Sequence, residues 1–256
     1  LTVFNGFLGL FHKQELSLLL IRLLYMLLFK GPRDQLLAPL QAVCGIVEKR
    51  HTLPILSNVL MEKNGEKLTL LATDIEIQIT TETPTQGTEK ASMTVGARKL
   101  QDILRSLPES AEISLALDDK RLQLKAGKSR FNLQTLPAED FPRMATSDGL
   151  ASRLSITQRQ MKRLLALVQY AMAQQDIRYY LNGLLLVAKG NELRMVATDG
   201  HRLAYSAETL PEQPAPIEVI LPRKTVLELS RQLADSDDPL EVLLTPTQAR
   251  FSFGSI

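Results

Sequence analysis

The tripeptide Ala72-Thr73-Asp74 returns as Ala197-Thr198-Asp199, 125 residues later (197 − 72), and the match extends well beyond those three letters. At the same offset Leu56 falls on Leu181, Leu60 on Leu185, Leu68 on Leu193 and Leu71 on Val196. The pair Arg98-Lys99 lands on Arg223-Lys224 without a gap. Matched apolar positions and a matched basic pair in one register imply one fold used twice. No catalytic cluster is duplicated with it, which points toward a scaffold rather than an enzyme.

A chain of 256 residues with a period near 125 reads as two domains of ordinary size. Its hydrophobic fraction of 45% and charged fraction of 23% are those of a folded globular protein. Cys44 stands alone in an apolar run, so no disulfide forms within the chain and a reducing compartment fits. A net charge of +2 does not by itself indicate a polyanion partner. Binding to one would require the cations to be sorted onto a single surface.

Residues 16–29 are almost wholly apolar, broken by Ser17 and Arg22. The run is shorter than the roughly 20 residues that span a bilayer, and it lacks the basic start and cleavage site of a signal peptide. Three readings stand: a foreign leader, a packed amphipathic helix, or a membrane attachment. Residues 1–32 show no alternation, so no opening strand is expected there.

From Arg33 the pattern is regular. Leu36, Leu37, Leu40, Val43 and Val47 predict a helix over 34–47. Strands follow over 53–62, 67–73 and 75–82, the last because Ile75, Ile77 and Ile79 alternate with polar residues. A strand at 93–95 leads to a helix over 98–107, and three alternating runs close the unit, with Gly127 at the last turn. The stretch 137–152, with two prolines and Gly149, is the linker. In the second unit Thr157 caps a helix to about Ala173. Strands near 181–188, 192–198, 201–207 and 216–221, a helix from Pro222 to about Leu233, and two final strands complete it.

Enzyme motifs are missing. Gly127-Lys128-Ser129 has Leu122 where a phosphate-binding loop needs glycine, and no Cys/His spacing suits zinc. Asp199 and His201 form the one conceivable acid–base pair, which keeps a hydrolase as an alternative. The basic residues say more. Arg159, Lys162 and Arg163 share a helix face by spacing, as do Arg98 and Arg105, with Arg223, Lys224 and Arg231 on the last helix. Glutamates fall mostly in strands, so helices on one surface would give a basic face suited to phosphates. The connector Gln174–Gly183 adds Arg178, Tyr179 and Tyr180, groups able to stack on bases or cover the core.

The strings Gln175-Asp176-Ile177-Arg178-Tyr179-Tyr180-Leu181-Asn182-Gly183, Val196–Ala204, Leu53–Leu56 and Leu136–Pro142, with Ser129-Arg130-Phe131, closely resemble the bacterial sliding clamp, the beta subunit of DNA polymerase III. The resemblance runs from about Arg33 to the end. It implies an α+β DNA clamp fold: tandem domains, each with two helices on antiparallel β-sheets. In that family three such domains form a protomer and two protomers close a ring around double-stranded DNA. The ring tethers the replicative DNA polymerase and is served by a clamp loader, both through short peptide motifs, with no reaction catalysed and no cofactor. Its setting is cytoplasmic.

Carried over residue by residue, the resemblance implies DNA contacts at Arg50, Arg98, Arg105, Gln175, Tyr179, Tyr180, Arg223 and Lys224. It implies a partner-peptide pocket at Leu181, Thr198, Gly200, His201, Arg202 and Leu203, and a dimer interface at Lys99, Ile103, Phe131 and Leu133. The expected layout is a leader over 1–32, a first domain over 33–145 lacking its opening strand, and a second over 152–256. A third domain, with the other wall of the pocket, is not in the sequence.

Overall fold

A computed structural model describes residues 26–47, 53–118, 120–145 and 151–256. Residues 16–25 of the apolar run, and Arg50, lie outside them. The chain divides into two compact units, residues 1–143 and 144–256.

Among the described residues, unit one begins with a strand that the sequence reading did not expect: β1 (Met26–Pro32), which pairs antiparallel with β6 (Glu112–Asp118). The register slips between Leu27 and Phe29, so Leu28 and Phe29 are both fully buried. Such a bulge breaks the period of two, and that is why no alternation marks the strand. The boundary of the expected leader at residue 32 is corrected accordingly.

Helix α1 (Arg33–Cys44) follows, then a 3-10 turn (Pro54–Ser57) and strands β2 (Asn58–Asn64), β3 (Lys67–Thr73), β4 (Gln78–Pro84) and β5 (Lys90–Gly96). Helix α2 (Ala97–Ser106) precedes β6, β7 (Arg121–Ala126) and β8 (Ser129–Leu136). The eight strands form one curled sheet in the order β1-β6-β7-β8-β5-β2-β3-β4.

Pro39 lies inside α1 and cannot donate to the carbonyl of Gln35. Thr83 Oγ1 on β4 donates to that oxygen instead, at 2.9 Å. Thr81 Oγ1 reaches Pro39 O at 3.3 Å, and Thr85 Oγ1 reaches the carbonyl of the bulged Leu28 at 2.8 Å. Three threonines two residues apart thus donate to backbone carbonyls of α1 and β1, one of them the Gln35 oxygen that Pro39 leaves open.

Unit two comprises β9 (Ser152–Thr157), α3 (Gln158–Val168), β10 (Gly183–Lys189), β11 (Glu192–Thr198), β12 (Leu203–Thr209), β13 (Ile217–Pro222), α4 (Arg223–Gln232), β14 (Pro239–Leu244) and β15 (Ala249–Ser252). Its sheets run β12-β11-β10-β13 and β15-β14-β9. The strand β9 occupies part of what was read as linker and helix cap. Leu154 and Ile156 point inward along it, and Thr157 ends the strand and caps α3 in a capping box with Gln160.

The repeat is borne out in three dimensions. β2, β3 and β4 begin at 58, 67 and 78, while β10, β11 and β12 begin 125 residues later, at 183, 192 and 203. The pairs Leu60–Thr94 and Leu185–Ile220 show that the offset has grown to 126 (220 − 94) at β5 and β13. The basic pairs therefore do not superpose: Ala97 opens α2 where Arg223 opens α4. Long side chains absorb the slip. Arg98 Nη2 donates to Val47 O at 2.5 Å and Arg223 Nη1 to Met172 O at 3.3 Å, carbonyls that are again 125 apart (172 − 47).

Candidate partner groove and nucleic-acid interface

The strand expected over 75–82 in unit one starts only at Gln78, because residues 73–77 form a turn. Thr73 Oγ1 accepts from Ile75 N and donates to Ile77 O, while Asp74 Oδ1 accepts from the amides of Glu76 and Ile77. The same turn recurs at 198–202. Thr198 Oγ1 accepts from Gly200 N and donates to Arg202 O, and Asp199 Oδ1 accepts from the amides of His201 and Arg202.

These bonds decide the role of Asp199. The amides of His201 and Arg202, with the Arg202 guanidinium, hold its carboxyl below the usual range. The His201 contact runs through its backbone amide, and Arg202 Nε donates to Asp199 Oδ2 at 3.0 Å. An Asp fixed in a turn and facing no imidazole is not the base of a hydrolase, and that alternative falls.

Facing this turn, the connector 174–182 is cross-braced. Asp176 Oδ1 accepts from Arg178 N and Nε, and Oδ2 from Arg178 Nη2 at 2.9 Å. These donors hold the Asp176 carboxyl at about 2. Asn182 accepts from Asp176 N and donates to Asp176 O, both at 2.8 Å, while its own carbonyl receives Arg223 N. Gln175 adopts φ 57° to close the loop. The loop presents Ile177, Tyr179 and Tyr180 outward, the two rings edge-to-face with centroids 5.9 Å apart.

The structure brings the six pocket candidates into two neighbouring segments of unit two. Leu181, near the end of the connector, is buried, Thr198 is half-buried, and Gly200, His201, Arg202 and Leu203 are exposed. Sequence reasoning missed two members. A Cβ on Gly200 would stand 3.2 Å from Arg178 Nη2, so Arg178 forms part of the same surface. Tyr170 gives its carbonyl to Arg202 Nη2 at 2.6 Å and its ring face to the guanidinium at 5.3 Å. Arg178 was visible within the connector string; nothing in the sequence marked Tyr170.

The cations are less uniform than spacing suggested. Arg159 is paired with Asp235 and Asp237, Lys162 caps α4 through Leu233 O at 2.8 Å, and Arg231 holds Glu228. Arg159 and Lys162 are thus engaged with the end of α4 and the loop after it. Among the DNA candidates, Arg98 and Arg105 are exposed on α2, and Arg223 and Lys224 are half-buried at the start of α4. Of the interface candidates, Lys99 is exposed, Ile103 and Phe131 are half-buried, and Leu133 is buried within unit one.

Two tandem units, each placing two helices against curled antiparallel sheets around one repeated turn, define a duplicated α+β scaffold of the DNA clamp class. Residues 27–145 match the N-terminal domain of the DNA polymerase III beta subunit, and residues 155–256 match its central domain. The chain belongs to that family. The beta sliding clamp of Pseudomonas putida is 45% identical over 228 residues, covering 88% of this chain and 62% of the relative. That of Escherichia coli K12 is 44% identical over 229 residues, with the same coverage. A crystal structure of the Pseudomonas aeruginosa clamp bound to griselimycin superposes with a TM-score of 0.84 at 44% identity, over 90% of this chain and 63% of that one. The chain thus spans less than two thirds of the curated relatives it matches.

No helix among the described residues is long and apolar enough to cross a membrane. Residues 26–29, the end of the apolar run, belong to β1.

Proposed function

We propose that this chain serves as the DNA-holding part of a sliding clamp. It retains duplex DNA without sequence preference, tethers the replicative polymerase, and catalyses no reaction itself. The observation that carries this reading is the fit of both units to clamps along nine tenths of the chain. The exposed Arg98 and Arg105, together with Arg223, Lys224 and the tyrosine pair, would meet phosphates and bases; Arg50 and Gln175 complete the proposed set. Backbone contacts of this kind let a protein slide.

The groove at Leu181, Thr198, Gly200, His201, Arg202 and Leu203 would receive short partner peptides from the polymerase and clamp loader. Lys99, Ile103 and Phe131 would face a second protomer across a ring-closing dimer interface, with Leu133 buried behind them. The proposed domains follow the two units, and the proposed setting is the cytoplasm, consistent with the unpaired Cys44.

The decisive experiment compares retention on closed circular and linear DNA of equal length. Topological retention predicts slow loss from circles and rapid loss from linear ends. Arg105→Glu with Lys224→Glu should lower retention about tenfold and reduce the salt dependence of binding by about one unit of slope per lost contact. Equal retention on both DNAs defeats encirclement, and unchanged behaviour of the variant defeats the assigned lining.

A further inference from the structure

The turn at 198–202 carries more links than its twin needs. Unit one builds the same turn from the bonds of Thr73 and Asp74. In unit two the turn is also held from outside, at two points. Arg178 lays its terminal nitrogens over Gly200, where a Cβ would stand 3.2 Å from Nη2 and 3.6 Å from Nη1. Arg202 is fixed on Tyr170, whose carbonyl accepts from Nη2 at 2.6 Å and whose ring lies 5.3 Å from the guanidinium carbon. At the matching positions, 125 residues earlier, unit one has Leu53 and Ile75 for the first pair and Gly45 and Ile77 for the second. Their side chains can form neither link, yet the turn keeps the same bonds. The turn's fold therefore does not demand the two arginine links, and their role lies in what they join.

Both lead to the connector. Tyr170 belongs to the 3-10 turn Gln169–Ala171 that precedes it, and Arg178 stands within it. Asp176 grips Arg178 through Nε and Nη2, and Asn182 in turn holds Asp176 N and O. The 3-10 turn Tyr179–Leu181 closes on the same frame: Leu181 N donates to Arg178 O at 2.9 Å, and Asn182 N to Tyr179 O at 3.0 Å. Leu181 O accepts from Ala173 N at 2.9 Å, which joins the two ends of the connector. The exposed Tyr179 and Tyr180 and the buried Leu181 are thus consecutive residues of one braced turn. The first two are candidates for DNA contact, and the third is a candidate of the groove.

We propose that Arg178 is a positioning residue that couples DNA contact at Tyr179 and Tyr180 to the order of the partner groove. DNA held on the tyrosines fixes the connector, and the guanidinium, fixed with it, steadies Gly200 and the groove turn. A partner segment entering the groove then meets a turn that is already ordered, and binds the DNA-loaded protein more tightly. The coupling is reciprocal, so an occupied groove strengthens the hold on DNA by the same factor. Lysine cannot replace the arginine, because one ammonium cannot hold both Asp176 oxygens and still cover Gly200. This inference rests on the proposed DNA contacts and groove, and adds the link between them.

The test is amide hydrogen exchange on the full chain, with and without a saturating duplex DNA about two helical turns long. DNA should slow exchange at Leu181 and Asn182 and, by at least about fivefold, at His201 and Arg202. Glu76 and Ile77, the same two amides of the unlinked turn, should not respond. Arg178→Lys keeps the charge, and with it DNA should still slow Leu181 and Asn182 but no longer His201 and Arg202. Asp176→Asn, which releases the guanidinium, should likewise lose the slowing at His201 and Arg202. Slowing there that survives in Arg178→Lys means direct shielding by DNA and overturns the coupling. Slowing confined to Leu181 and Asn182 in the wild type also overturns it, while leaving the DNA contact standing. Unaltered exchange at all four amides removes the DNA reading of the connector, and the coupling with it.

Discussion

Ile75 and Gly200 occupy the same position of the same turn, at φ 81° and φ 91°, one in each half of the repeat. Threonine, aspartate and the backbone bonds they make are identical around both. A left-handed backbone suits glycine, but for a β-branched residue it is a true outlier. The turn in unit one therefore holds its conformation against the preference of its own side chain, through the four bonds of Thr73 and Asp74.

Replacing Ile75 with glycine should accordingly stabilise unit one. The strain removed is about 1–3 kcal/mol and the flexibility added to the unfolded chain offsets about 0.5–1 kcal/mol, leaving a net gain near 1 kcal/mol. Ile75 is 54% exposed, so little burial is lost. The reverse change, Gly200→Ile, imports the strain and crowds Arg178. Urea midpoints of the two variants should move in opposite directions; a lower midpoint for Ile75→Gly refutes the strain.

The same turn shows where sequence reading stops. Ile75, Ile77 and Ile79 alternate perfectly, yet periodicity is blind to a positive φ, so a turn with a strand behind it read as one strand. β1 failed for the opposite reason, since its bulge buries two successive residues and erases a period that is physically present. By contrast β3 and β11 were legible to the residue, because each is an apolar run bounded by clean turns at its ends. At the candidate groove the connector string was visible. Its partner turn begins 16 residues after the connector ends, and the joining of Arg178 to Gly200 depends on a backbone close approach that no spacing rule encodes.

Thr83 is expected to be worth more than its hydroxyl suggests. Thr83→Val keeps the shape but leaves the Gln35 carbonyl without the donor that Pro39 cannot supply, a loss of about 1–2 kcal/mol. In a Pro39→Ala background the helix provides its own N–H, and the same substitution should cost markedly less. The coupling is read from a double-mutant cycle in denaturant. Additive effects would mean that the threonine does not compensate for the proline.

Lys63 has no exposed side-chain surface, yet its ammonium is fully engaged. It donates to Leu27 O at 2.7 Å, Gln86 O at 2.6 Å and Glu89 Oε2 at 3.1 Å. Lys63→Met retains the stem and strands two carbonyls, so a loss of about 2–4 kcal/mol is expected. Because one acceptor lies on β1, amide exchange in residues 26–32 should accelerate more than exchange in β6 or β7. Uniform acceleration throughout the unit would contradict a local tether.

The Asp176–Arg178 brace gives the connector a defined response to acid. Folding depresses the Asp176 carboxyl to about 2, mainly through the side-chain bonds from Arg178. A depressed carboxylate contributes stability above its unfolded value of about 3.9, and the contribution disappears as pH falls through the folded value. The connector should therefore hold its shape from neutral pH down to about 4 and loosen between there and pH 2. The carboxyl carbon resonance of Asp176 should titrate with a midpoint near 2, accompanied by shifts of the Arg178 and Tyr179 amides. Asp176→Asn should remove this transition and produce the loosened amide pattern at neutral pH. A midpoint near 4 in the wild-type chain would mean that the brace does not form in solution, leaving the tyrosine pair without its support.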